Sequence, residues 1–213
     1  MDTFNKIKTE AKKMSAWAKG SHDWEHTERV LKLALHICKK EKADAEIIKY
    51  AAVLHDIARS CEDKSSGRIS HAERGAELAG SILKRHGFDK VKIGKITHCI
   101  ASHRFRGKEK PKTKEAKVLF DADKLDSIGA VGIGRAFLFA GEVGAKLHND
   151  KKTDISKTKP YTQEDTAYRE YMVKLRKVKG RMLTREGRRM AQKRHEYMKN
   201  FFIRLNKEVE GIV

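Results

Sequence analysis

The chain has 213 residues, enough for one domain or for one domain with an extension. Only 39% of them are hydrophobic, and no window is long and apolar enough to span a bilayer. The segment Met1-Asp2-Thr3-Phe4-Asn5-Lys6 lacks the apolar core of a signal peptide. With 48 Lys and Arg against 29 Asp and Glu, the formal charge is +19, which favours anionic partners or substrates: nucleotides, nucleic acid or a membrane surface. A generally basic proteome would give the same balance. Three cysteines without CxxC pairing, Cys38, Cys61 and Cys99, fit a reducing cytoplasm.

Two prolines and long stretches of three- and four-residue apolar spacing indicate an all-α fold. Phe4, Ile7, Ala11, Met14 and Ala18 predict a first helix ending at Gly20. Ser21 or Asp23 then caps a second helix whose stripe is His26, Val30, Ala34 and Cys38. A third helix, from near Asp44 to about Ser60, carries Ala51-Ala52-Val53-Leu54-His55-Asp56-Ile57-Ala58, with His55 and Asp56 one turn after small apolar residues. Burying a lone carboxylate costs several kcal/mol or more, roughly. A metal cation removes that cost, because histidine nitrogen and aspartate oxygen are both ordinary ligands.

A polar loop, Glu62 to Gly67, is expected next, then a helix from Ser70 to His86 opened by the capping box Ser70-His71-Ala72-Glu73. A helix from Asp89 to His103 places His103 one turn past Cys99, with His98 off that row and facing solvent. After the charged linker at Lys108–Lys112, a helix from Glu115 to Ile128 carries Leu119, Ala122, Asp123 and Asp126 on one side, while Asp121 points away. Gly129-Ala130-Val131-Gly132-Ile133-Gly134-Arg135 follows no strand, so it reads as small residues for close helix packing rather than a phosphate loop. Phe137, Leu138 and Phe139 continue that helix into the core. The polar stretch 141–162 is expected to be a mobile loop and a candidate lid. Helices over 164–178 and 184–210 follow, the last with Met190, Arg194, Tyr197, Met198, Phe201, Phe202 and Leu205 at core spacing. The cluster Arg181, Arg185, Arg188, Arg189, Lys193 and Arg194 reads as a solvated face, lacking the aromatic residues of a single-strand platform.

Four inward-facing residues stand out: His26, His55, Asp56 and Asp123. The order H … HD … D resembles the HD superfamily of metal-dependent phosphohydrolases. The matching segments are His26-Thr27-Glu28-Arg29-Val30, Val53-Leu54-His55-Asp56-Ile57 and Asp121-Ala122-Asp123-Lys124-Leu125-Asp126, approached by Ser21-His22-Asp23-Trp24-Glu25. The Ala-Asp-basic-Leu context selects Asp123. The chain is most similar to small stand-alone HD proteins, through the Gly/Ala-rich segment and the C-terminal helix from Thr184 as well.

The resemblance implies an HD-domain helical bundle with additional C-terminal helices, spanning 1–213 as a single domain: a core of about 20–140, a polar loop of about 141–162 and helices of about 163–210. It implies a hydrolase acting on a phosphoester of a nucleotide or other small phosphorylated metabolite, with His26, His55, Asp56 and Asp123 holding one divalent cation (Mn²⁺, Mg²⁺, Co²⁺, Ni²⁺, Fe²⁺ or Zn²⁺) that activates water. His71 and His103 match positions of further histidines, for a second metal or for phosphate. Glu62 and Asp63 lie where some family nucleotidases use carboxylates in proton transfer; a solvated loop is the rival reading. Arg29, Arg59 and Lys124 lie near the ligands and are candidates to reach phosphate, and His22 to orient His26. No membrane partner is expected. Cyclic-nucleotide hydrolysis, a dinuclear-iron oxygenase using His71 and His103, and a nucleic-acid-binding protein with a structural metal are the alternatives.

Overall fold

The computed structural model describes residues 2–15, 23–65, 67–105, 107 and 109–213. Ala18, Gly20, Ser21 and His22 lie outside them. The described residues are helical, with no strand among them. They separate into two compact units, Met1–Asp123 with Leu183–Glu186, and Lys124–Met182 with Gly187–Val213. The division falls between Asp123 and Lys124, inside a helix, rather than where the composition turns polar near residue 141.

The first unit contains α1 (Thr3–Met14), α2 (Trp24–Glu41), α3 (Ala45–Leu54), α4 (Arg59–Lys64), α5 (His71–Arg85), α6 (Lys90–Ser102) and most of α7 (Lys114–Leu125). Short polar side chains start these helices. Asp23 accepts from the His26 N–H, Asp44 from Glu46 and Ile47, Ser70 from Glu73, and Asp89 from Lys92. α3 is the centre of the unit: Ile47, Ile48 and Tyr50 to Leu54 are all buried, and the helix packs against α2 on one side and α6 on the other. α5 runs along α6.

One expectation changes here. α3 stops at Leu54 instead of continuing to Ser60, and α4 begins at Arg59. The His55 ring explains the break: its Nδ1 lies 2.8 Å from the Ala52 carbonyl, the acceptor that the next helical N–H would need. The chain turns over residues 55–58 and resumes with Arg59 N–H on Asp56 O. The first half of what reads as a polar loop, Glu62 to Lys64, is therefore the end of α4.

The second unit holds α8 (Gly129–Glu142), α9 (Ala167–Val173) and most of α10 (Arg185–Val209), with 3-10 turns at Ile155–Lys157 and Leu175–Arg181. Its core joins Ile133, Ala136 and Ala140 of α8 to Met198 and Phe202 of α10, with Phe202 stacked on Tyr171 at 4.7 Å between ring centroids. Gly132 bears out the packing role of the small residues, because a Cβ would fall 2.3 Å from the Ser127 carbonyl oxygen. Leu138 and Tyr197 are corrected to the surface, at 52% and 56% exposure. Leu138 stands two residues from both Ala136 and Ala140, half a helical turn from their face. The stretch 141–162 is not an open loop: Lys146 N–H donates to Gln163 O, Asn149 Nδ2 to Glu164 O, and Arg169 to the Thr158 hydroxyl and carbonyl. No helix of the described residues is long and apolar enough to cross a membrane.

Candidate metal centre

Six side chains of the first unit converge, each from the end of a helix. His26 lies in the first turn of α2, His55 caps the C-terminus of α3, and Asp56 follows it in the turn. His71 opens α5, His103 caps α6, and Asp123 stands near the end of α7. All but Asp123 are buried, and the Asp123 side chain is 15% exposed.

Asp56 sits in the middle and faces both ways. Its Oδ2 lies 3.7 Å from His26 Nε2 and 3.6 Å from His55 Nε2. Its Oδ1 lies 3.5 Å from His71 Nε2 and 3.6 Å from His103 Nε2. Asp123 Oδ1 is 3.4 Å from His26 Nε2, so His26, His55 and Asp123 form one group and Asp56, His71 and His103 a second.

The electrostatics of this arrangement call for a cation. His55 Nδ1 donates to Ala52 O, and His103 Nδ1 to Ile100 O at 2.6 Å. His71 Nδ1 is 2.6 Å from a Glu62 carboxylate oxygen. Carbonyl and carboxylate oxygens only accept, so each Nδ1 carries the hydrogen and each neutral ring presents a bare Nε2 lone pair inward. The His71 and His103 Nε2 atoms are 3.2 Å apart, and those of His26 and His55 are 3.4 Å apart. Lone pairs facing one another beside a carboxylate repel unless positive charge stands between them. The spacing suits ligands that share a cation at about 2.0–2.2 Å. Burial pushes His55 down to about 4 against the opposing charge of Asp56, and burial likewise lowers His71. Burial thus holds His55 and His71 in the neutral form that binds metal.

Glu62 is buried rather than solvated, which corrects the loop reading. Its Oε2 accepts from both the backbone N–H and the ring of His71, and its Oε1 accepts from Arg104 Nη2 at 3.0 Å. Burial opposes its charge, but the hydrogen bonds from the His71 backbone and ring and the charge of Arg104 prevail and hold its carboxyl below the usual range. Asp63 stays outside, exposed, with Oδ1 3.6 Å from Arg59 Nε. Arg29 Nη1 lies 3.9 Å from Glu25 on the outer side of α2. Lys124 begins the second unit. His98 is half-buried and accepts from the Lys112 N–H. Asp121 turns away as expected and accepts from the Leu183 and Thr184 N–H groups and the Thr184 hydroxyl. Asp126 does not join Asp123; it pairs with Arg135 at 2.8 Å. Arg104 escaped the sequence reading. Its only signal there is adjacency to His103, since its carboxylate partner lies 42 residues away.

An all-helical scaffold whose helix ends gather an ordered His, His-Asp and Asp set defines the class. The chain belongs to the HD superfamily, and the HD domain family matches residues 23–128. It is 38% identical over 193 residues to YpgQ of Bacillus subtilis, an uncharacterised protein, covering 90% of this chain and 86% of that one. The crystal structure of Bacillus subtilis YpgQ in complex with ADP matches with a TM-score of 0.74 at 33% identity, over 99% of this chain and 100% of that chain. An HD-superfamily hydrolase from Bacillus thuringiensis matches with a TM-score of 0.76 at 27% identity, over 97% and 96% of the two chains. Ribonuclease Y of Chloroflexus aurantiacus is 33% identical over 106 residues, half of this chain but 18% of that protein. HD-domain proteins bind divalent metals, and this chain carries two groups of residues able to hold one.

Proposed function

We propose that this protein is a metal-dependent phosphohydrolase that cleaves a phosphoester of a nucleotide or a similar small phosphorylated metabolite. The observation that carries the reading is Asp56, one carboxylate facing two pairs of inward histidine nitrogens. His26, His55 and Asp123 with Asp56 would hold one cation, and His71 and His103 with Asp56 would hold a second. Divalent cations bound there would supply Lewis acidity toward a phosphoryl group and toward a water molecule. The chain's own residues do the rest. The carbonyls of Ala52 and Ile100 aim His55 and His103 inward. The excess of positive charge draws a phosphorylated anion toward the molecule. The ADP complex of YpgQ supports a nucleotide ligand. Three free cysteines fit a cytoplasmic setting.

The test is elemental analysis of the purified protein together with a phosphate-release screen. Nucleoside mono-, di- and triphosphates would be supplied with Mn²⁺, Mg²⁺, Co²⁺ or Ni²⁺, with EDTA as control. Metal-dependent release from a nucleotide is expected. The six-residue set also satisfies the ligand count of a dinuclear-iron oxygenase. Two irons per chain with no phosphate released under any metal would replace the hydrolase reading with that one.

A further inference from the structure

The histidines of the centre are aimed in two different ways. His55 and His103 each cap the C-terminal end of a helix, and each ring donates to a carbonyl three residues earlier in its own helix. His71 is the first residue of α5. A helix N-terminus offers unpaired N–H groups and no preceding turn of carbonyls, so nothing local can accept from its ring. A carboxylate from another element has to do it, and Glu62 of α4 does, binding the His71 N–H at 3.0 Å and its Nδ1 at 2.6 Å through one oxygen. The other oxygen is held by Arg104, which follows His103 in the chain.

We propose that Glu62, clamped by Arg104, is the positioning residue that fixes the His71 ring with Nδ1 protonated and Nε2 aimed at Asp56 Oδ1, and so completes the second cation position. The proposal rests on the two-cation reading above. It also assigns Glu62 a role other than proton transfer. Both of its oxygens are engaged, and the His71 ring stands between it and Asp56.

Full-length wild type, Glu62→Gln, Arg104→Ala and Arg104→Lys would be stripped with EDTA and titrated with Mn²⁺ by calorimetry. Metal-free samples would also be examined by long-range ¹H–¹⁵N correlation, which reads which ring nitrogen of His71 is protonated. The wild type should bind two ions, with His71 in the Nδ1–H form. Glu62→Gln should keep the first ion, bind the second about 10–100-fold more weakly, and show a mixed His71 tautomer. Arg104→Ala should shift the second ion in the same direction by less, and Arg104→Lys should recover part of it. Because Arg104 is partly exposed, its variants stand in if Glu62→Gln does not fold. A wild type that binds one ion overturns the two-cation reading and this proposal with it. Two ions in the wild type, with an unchanged second affinity or an unchanged His71 tautomer in the variants, overturn the positioning role alone.

Discussion

Replacing Asp56 separates a shared carboxylate from an ordinary ligand. Asp56→Asn removes charge from both groups at once, whereas Asp123→Asn touches only the one built on His26 and His55. A cation at a concentration 100 times its dissociation constant stabilises the folded chain by about 2.7 kcal/mol, so two independent ions contribute about 5 kcal/mol. For a chain of this size, about 2–4 °C per kcal/mol turns that into a rise in melting temperature of about 10–20 °C on adding Mn²⁺. Calorimetric melts of each variant, with Mn²⁺ and with EDTA, measure the rise against that variant's own metal-free form, which cancels any change in intrinsic stability. Wild type should show the full rise, Asp123→Asn about half of it, and Asp56→Asn almost none. A full rise in Asp56→Asn, or an equal loss in both variants, would refute the shared-carboxylate arrangement.

Asp121, two residues before a ligand, should behave in the opposite way. Asp121→Ala strips three hydrogen bonds from Leu183 and Thr184, just before α10, and should cost about 2–4 kcal/mol in urea denaturation. It should leave the Mn²⁺-induced rise intact, and a lost rise would show that the wrong aspartate had been assigned to the centre. In α8, Gly132→Ala forces a Cβ against the Ser127 carbonyl and should destabilise by about 1–3 kcal/mol. Gly134→Ala, with no heavy atom within 4 Å of the new carbon, should stabilise by about 0.5–1 kcal/mol. Equal signs for the two in denaturant titrations would contradict the packing derived for that helix.

The local rules of the chain account for much of this molecule. Asp23, Asp44, Ser70 and Asp89 mark helix starts because a cap bonds an N–H within three residues. His26, His55, Asp56 and Asp123 stand out because helical spacing sets polar groups among apolar neighbours, whatever lies across from them. Other features were decided only by tertiary structure. α3 ends at Leu54 because a ring turns back on a carbonyl, and that depends on where the ring must point. Glu62 and Asp63 are chemically alike in sequence, yet one is buried and the other exposed, since only Glu62 meets His71 and Arg104. Likewise Asp121 and Asp126 find partners 62 and nine residues away. Sequence spacing predicts which side of a helix a charge occupies. Whether that charge can leave water depends on a partner across space, and that partner exists only once the chain has folded.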